Sequence, residues 1–176
     1  MFRFVLPAAL FVLGTSSGFA APSDEATQQR DLQAKFPPCD PTATTGQHCM
    51  RVLACIGDDG LYFDGQARGD AVGLILGRTS DGVSCSGHWS NVHGTDSRGE
   101  GRARLKCGDG SRFHLVYDSR DRQAGTHIGV GKDSNGRMIR AWTGDDVLHF
   151  LSDENDRPSL KCGDRMVPLQ DEARID

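Results

Sequence analysis

From Arg51 to Trp142 the chain repeats one pattern, in which a short run of alternating apolar and polar residues is closed by a cluster of Gly, Asp, Asn or Ser. The runs "RVLACI", "LYFDGQA", "VGLILGR", "VSCSGHWS", "GRARLKC", "SRFHLVYD", "THIGVGK" and "RMIRAW" are separated by "GDDG", "RGD", "SDG", "GDG", "SNG" and two longer loops. A period of two places successive side chains on opposite faces of a strand. The Asp-Gly and Asn-Gly pairs at 81–82, 109–110 and 135–136 mark hairpin turns, because glycine takes a positive φ without steric penalty. The pattern predicts an all-β chain: an antiparallel meander, closed or nearly closed into a small barrel. Residues 51–176 form that single β-rich domain. "DDVLHFLSD" fits either a strand or a short helix, and "SLKCGDRMVPLQ" reads as one last strand.

Strand parity then assigns faces. In "VSCSGHWS", Val83, Cys85, Gly87 and Trp89 share the core face, whereas Ser84, Ser86, His88 and Ser90 point to solvent. In "EGRARLKC", Gly101, Ala103, Leu105 and Cys107 face inward and Glu100, Arg102, Arg104 and Lys106 outward. "SRFHLVYD" sends Phe113, Leu115 and Tyr117 inward and Arg112 and His114 outward. In "VGLILG" both parities are apolar, which predicts a strand covered on both sides and leaves room for a small apolar cavity. "GRTSDG" before Trp89 echoes "GKDSNG" before Trp142, suggesting a duplicated hairpin unit.

The start of the chain is of another kind. Arg3, the apolar run "FVLPAALFVLG" and the ending "GFA" make residues 1–20 a secretory leader cut after Ala20. Its apolar run is too short to span a bilayer, and no later run approaches the roughly 20 apolar residues required. The mature chain is therefore expected in the periplasm or the medium. Residues 21–50, rich in Pro, Thr and Gln, read as a polar, mostly irregular N-terminal arm. Six cysteines follow the leader, and an even count in an oxidising compartment predicts disulfides. Cys85 and Cys107 face one interior from neighbouring strands, so they should pair. Cys39 with Cys49 would close the arm, and Cys55 with Cys162 would join the first and last strands.

Charge narrows the partners. The full chain carries a formal charge of −4, and removing Arg3 with the leader leaves 19 bases against 24 acids, or −5. An acidic chain has no global drive toward nucleic acid. Locally the balance reverses: Arg102, Arg104, Lys106, Arg112, His114 and His88 come together on the outer face of a few strands. Such a patch attracts an anionic ligand or an acidic protein surface, since arginine grips carboxylate or phosphate in bidentate fashion; the alternative is a solvated outer face balanced by Glu100, Asp109 and Asp118.

The stretch "CSGHWSNVHGTD" puts His88 and His93 five residues apart, but one lies on an outer strand face and the other in a loop, a poor preorganised metal site. No metal or cofactor is expected. "DSNG" lacks the further ligands of a calcium loop, and "RGD" at 68–70 reads as a turn. There is no nucleophile elbow, HExxH, Walker loop or dinucleotide fingerprint, so no catalytic residue is assigned. Acid and base sets such as Asp118, Asp121 and His127 can be assembled, but nothing selects one.

"KCGDGSRFHLVYD" resembles the opening strand pair of the membrane-bound and periplasmic inhibitors of c-type lysozyme. That resemblance implies a small antiparallel barrel presenting a loop to an enzyme cleft. It covers about a dozen of the 176 residues, and the Ser-Gly-x-x-Tyr inhibitory motif is missing, so no functional residue carries over. The hairpins followed by tryptophan resemble those of uncharacterised exported β-rich bacterial proteins. The reading that follows is an exported non-enzymatic binding or accessory protein with an anionic partner. An inhibitor of an extracellular enzyme, or a hydrolase or metalloprotein using His114 or His127, are the alternatives.

Overall fold

The computed structural model describes residues 49–69, 71–91, 100–118 and 126–170. The expected leader and its cut site, residues 21–48 of the expected arm with Cys39, and His93 and Asp121 lie outside them, whereas Cys49 and Met50, assigned to the arm from sequence, begin the first strand. Eight strands follow in order: β1 (Cys49–Ile56), β2 (Tyr62–Gly69), β3 (Val72–Thr79), β4 (Ser84–Asn91), β5 (Glu100–Cys107), β6 (Arg112–Asp118), β7 (Thr126–Asp133) and β8 (Met138–Gly144). Each pairs antiparallel with the next, and β8 returns to β1 with Ala54 opposite Ala141, closing the barrel. Closure satisfies the backbone groups that an open sheet would leave at its edges.

Three of the turns at one end share a geometry. The N–H of Gly82, Gly110 or Gly136 donates to the carbonyl three residues back, on Thr79, Cys107 and Asp133. Each glycine has a positive φ, between 83° and 92°, the left-handed position that three-residue hairpin loops require. A further copy of this turn, Asp153 to Arg157, has Asp156 at φ 57°; aspartate is among the few non-glycine residues that tolerate that region.

Parity holds through the barrel wall. β5 alternates exposed and buried residues from Glu100 to Cys107 without a break, and its buried positions are the predicted ones. Cys85, Trp89, Ala103, Leu105, Cys107, Phe113 and Leu115 join the interior cluster, with Tyr117 and Val83 packed against it. Charge outside and carbon inside on β5 and β6 is the reverse of the pattern in barrels that cross a bilayer. Among the described residues no helix is long and apolar enough to cross a membrane. On β3, outward Leu74 and Leu76 and inward Ile75 are all buried, as an apolar run on both parities predicts, but Val72 at the start of the same strand is exposed, so the cover does not extend to it.

After β8 comes a single helical turn, α1 (Val147–Phe150), which settles the choice left open by "DDVLHFLSD". The expected single last strand is instead a separate hairpin of β9 (Ser159–Cys162) and β10 (Arg165–Pro168). It turns at Cys-Gly-Asp-Arg, where Gly163 takes φ 61°. This C-terminal unit covers the outer face of β1, so Leu53, Cys55, Tyr62 and Trp142 form a second core with Val147, Leu160 and Cys162. The expected Cys55–Cys162 and Cys85–Cys107 disulfides are both present, with Cα separations of 5.3 and 4.0 Å. The first therefore ties β1 to β9, outside the barrel, rather than to a barrel strand. Arg51 adds a second fastening: its guanidinium grips both oxygens of Asp64 at 3.0 and 2.8 Å and also donates to the Gln170 carbonyl at 2.6 Å.

Candidate functional site

Among the described residues, the side chains do not fill the interior. A cavity of about 270 Å³ runs along the barrel axis, walled by apolar side chains, several of them small: Ala54, Ala67, Ala103, Ala141 and Gly129. Small residues leave volume here because larger ones are drawn back onto the wall. The Phe63 ring lies over Gly65 and Gly77, Trp89 over Gly73 and Tyr117 over Gly101, each so close that a Cβ on the glycine would collide with the ring. Trp89 is held there by its indole N–H, which donates to the Arg68 carbonyl at 3.1 Å.

The two ends of the cavity differ in their lining. Toward the tight hairpins, Phe63 meets Phe113 edge to face at 6.4 Å, and the Cys85–Cys107 disulfide fastens the neighbouring strands β4 and β5 on their inner face. Toward the other end the lining turns polar, with Asn91, Tyr117, His127, Thr143 and Asp145. The Tyr117 hydroxyl donates to Asn91 Oδ1 at 3.0 Å, and burial raises its pKa to about 12. It therefore stays a hydrogen-bond donor at any ordinary pH. The Tyr117 and His127 rings stand 6.4 Å apart. Thr143, opposite His127 in the β7–β8 register, has a buried Oγ1 with no hydrogen-bond partner among the described residues. An unmet buried hydroxyl carries a desolvation cost on the order of 1–3 kcal/mol, which a ligand's polar group would relieve.

The sequence-predicted residues lie on the other side of this wall. His88, Arg102, Arg104, Lys106, Arg112 and His114 are all exposed on the outer face of β4–β6. The pairing brings them into rows: His88, Arg104 and His114 are successive cross-strand neighbours, as are Lys106 and Arg112. His127 faces the cavity while His114 faces out, so these two histidines do not share a site. The "DSNG" carboxylate, Asp133, is taken up by Arg137 and by turn N–H groups, and Arg68 of "RGD" is buried. "KCGDGSRFHLVYD" is the β5–β6 hairpin.

No family model matches the chain, and no curated protein matches it. Solved structures similar to the chain include two barrels. One is titled as the de novo design of a fluorescence-activating beta barrel; it is 19% identical with a TM-score of 0.43, covering 64% of this chain and 96% of that one. The other is a redesigned beta barrel, mFAP1, bound to DFHBI; it is 15% identical with a TM-score of 0.42, covering 55% of this chain and 91% of that one.

Sequence reasoning turned Trp89, Ala103, Leu105, Phe113, Leu115 and Tyr117 inward as core without making them the walls of a cavity, and it missed part of the basic face. Lys132 follows His114 in the next row, and Arg140 lies beside Val130, both exposed. Parity in "THIGVGK" and "RMIRAW" carries that signal. The cavity left a fainter trace in the alanines at inward positions and in the polar inward residues gathered at one end of the strands.

Proposed function

We propose that this is a non-enzymatic binding protein that holds a small, largely apolar molecule inside the barrel. The cavity carries this reading: an apolar space of about 270 Å³ with polar groups at one end only. An apolar cavity of about 150 Å³ already admits benzene, and drug-sized sites begin near 300 Å³, so the ligand class is an aromatic bicycle or a short acyl chain. Its polar end meets Thr143, with Tyr117, Asn91 and His127 around it. The leader-like sequence of residues 1–20 and the two disulfides support action outside the cytoplasm, in the periplasm or the medium.

The test is titration with N-phenyl-1-naphthylamine, an uncharged probe that brightens in apolar surroundings. We expect saturable binding that Ala141→Phe or Ala103→Leu weakens at least tenfold while the far-ultraviolet circular dichroism is retained. No binding to the unaltered protein, or equal binding to both filled variants, would reject the reading.

A further inference from the structure

We infer that the outer face of β5, β6 and β7 is a docking surface for an anionic lipid bilayer. Five fixed positive charges share it: Arg102, Arg104 and Lys106 on β5, Arg112 on β6 and Lys132 on β7, all exposed. With strands about 4.8 Å apart and residues rising about 3.3 Å each, they occupy an area of about 10 by 13 Å. Among the described residues of these strands, the outward carboxylates are Glu100 and Asp118, opposite each other at the edge of the face. The protein as a whole is acidic, but screening at physiological salt limits the reach of a charge to about 8 Å. A docked surface therefore senses the patch and not the net charge.

The apolar residues on the same face identify the partner. Val116 and Val130 are cross-strand neighbours between Arg102 and Arg140, and they are 43% and 56% exposed. Met138, beside Lys132, is 57% exposed. A sulfated or carboxylated glycan has no acyl layer in which these side chains could be buried. At a bilayer the arginines and lysines meet lipid phosphates while the valines enter the boundary between headgroups and acyl chains. A planar membrane touching a narrow barrel contacts about three strands, the width over which charge and apolar side chains alternate. This inference stands apart from the cavity reading, because its residues point away from the interior.

Co-sedimentation with phosphatidylcholine vesicles, with and without phosphatidylglycerol, tests it. We expect partitioning onto the phosphatidylglycerol vesicles only, and its loss in high salt. The doubly reversed variant, Arg104→Glu with Lys132→Glu, should lose at least about tenfold in partition coefficient. Val116→Ser with Val130→Ser should lose several-fold and remain salt-sensitive. Unchanged far-ultraviolet circular dichroism and urea midpoint in each variant report an intact barrel. Three results would overturn the inference: equal partition onto both vesicle types, no effect of the charge reversals, or retention on heparin without binding to phosphatidylglycerol vesicles. The last would point to a glycan.

Discussion

Asp133 is a charged side chain turned toward the barrel interior, at the end of β7, and its carboxylate makes three hydrogen bonds there. It accepts from the N–H groups of Asn135 and Arg137 at 2.9 and 2.8 Å and from the Arg137 guanidinium at 2.7 Å. Burial alone would raise its pKa, but these bonds to the ionised form outweigh burial and hold it below the usual carboxylate range. A depressed folded-state pKa contributes stability that is present above the unfolded value near 4 and is lost as pH falls through the folded value. Asp133→Asn should therefore cost about 1.5–3 kcal/mol at pH 7. In urea denaturation the gap between variant and parent should close as pH is lowered from 5 toward 2; a gap constant over that range would exclude the ion pair as its source. Such a residue is hard to read from sequence: "DSNG" has the look of a cation loop, and only the fold brings the side chain of Arg137 back to the carboxylate. Parity, in contrast, assigns Cys85, Cys107 and Trp89 their correct face, because a period of two depends on nothing beyond the strand itself. Thr143 and His127 are invisible as a pair for the opposite reason, their meeting being a matter of cross-strand register.

Elements repeat the same division between local and assembled information. The hairpins at 79–83 and 133–137 match in hydrogen bonding as well as in sequence, yet their tryptophans do not correspond. Trp89 comes seven residues after Gly82 and faces the interior; Trp142 comes six after Gly136 and faces outward into the second core. One residue of difference reverses the face, so the echo marks a shared turn and not a duplicated unit. Outward Trp142 carries the Arg140 guanidinium 5.2 Å from its ring centroid and needs the C-terminal hairpin for the rest of its cover. That hairpin reads as one strand in the sequence because four-residue strands either side of a glycine have too little periodicity to separate. The Cys55–Cys162 bond holds it in place across 107 residues, and chain-entropy reasoning assigns such a long link about 4–5 kcal/mol, against about 3 kcal/mol for the 22-residue Cys85–Cys107 link. Cys55→Ser with Cys162→Ser should accordingly lower the denaturation midpoint more than Cys85→Ser with Cys107→Ser. It should also shift tryptophan emission to the red in native buffer as water reaches Trp142. An unshifted spectrum would show that packing alone secures the hairpin.

At the scale of the whole molecule, an antiparallel barrel was legible because strands, turns and faces are each encoded locally. The number of strands in the ring and the volume they enclose were not, since both depend on how strands tilt and stagger around an axis. The basic face could be seen in outline on β5 and β6, and its extension to Lys132 and Arg140 emerges once β7 and β8 are set beside them. The topology also bears on how the chain reaches this state. Seven of the eight barrel pairings join consecutive strands, whereas the eighth brings together Ala54 and Ala141, 87 positions apart (141 − 54). Closing a loop of that length costs about 2 kcal/mol more chain entropy than closing a ten-residue hairpin. The chain should therefore assemble as a growing ribbon of hairpins and seal its seam last. Shortening a seam side chain, as in Val52→Ala or Ile139→Val, should then accelerate unfolding in stopped-flow chevrons and leave refolding nearly unchanged, while Leu105→Ala in the local β5–β6 pair should slow refolding.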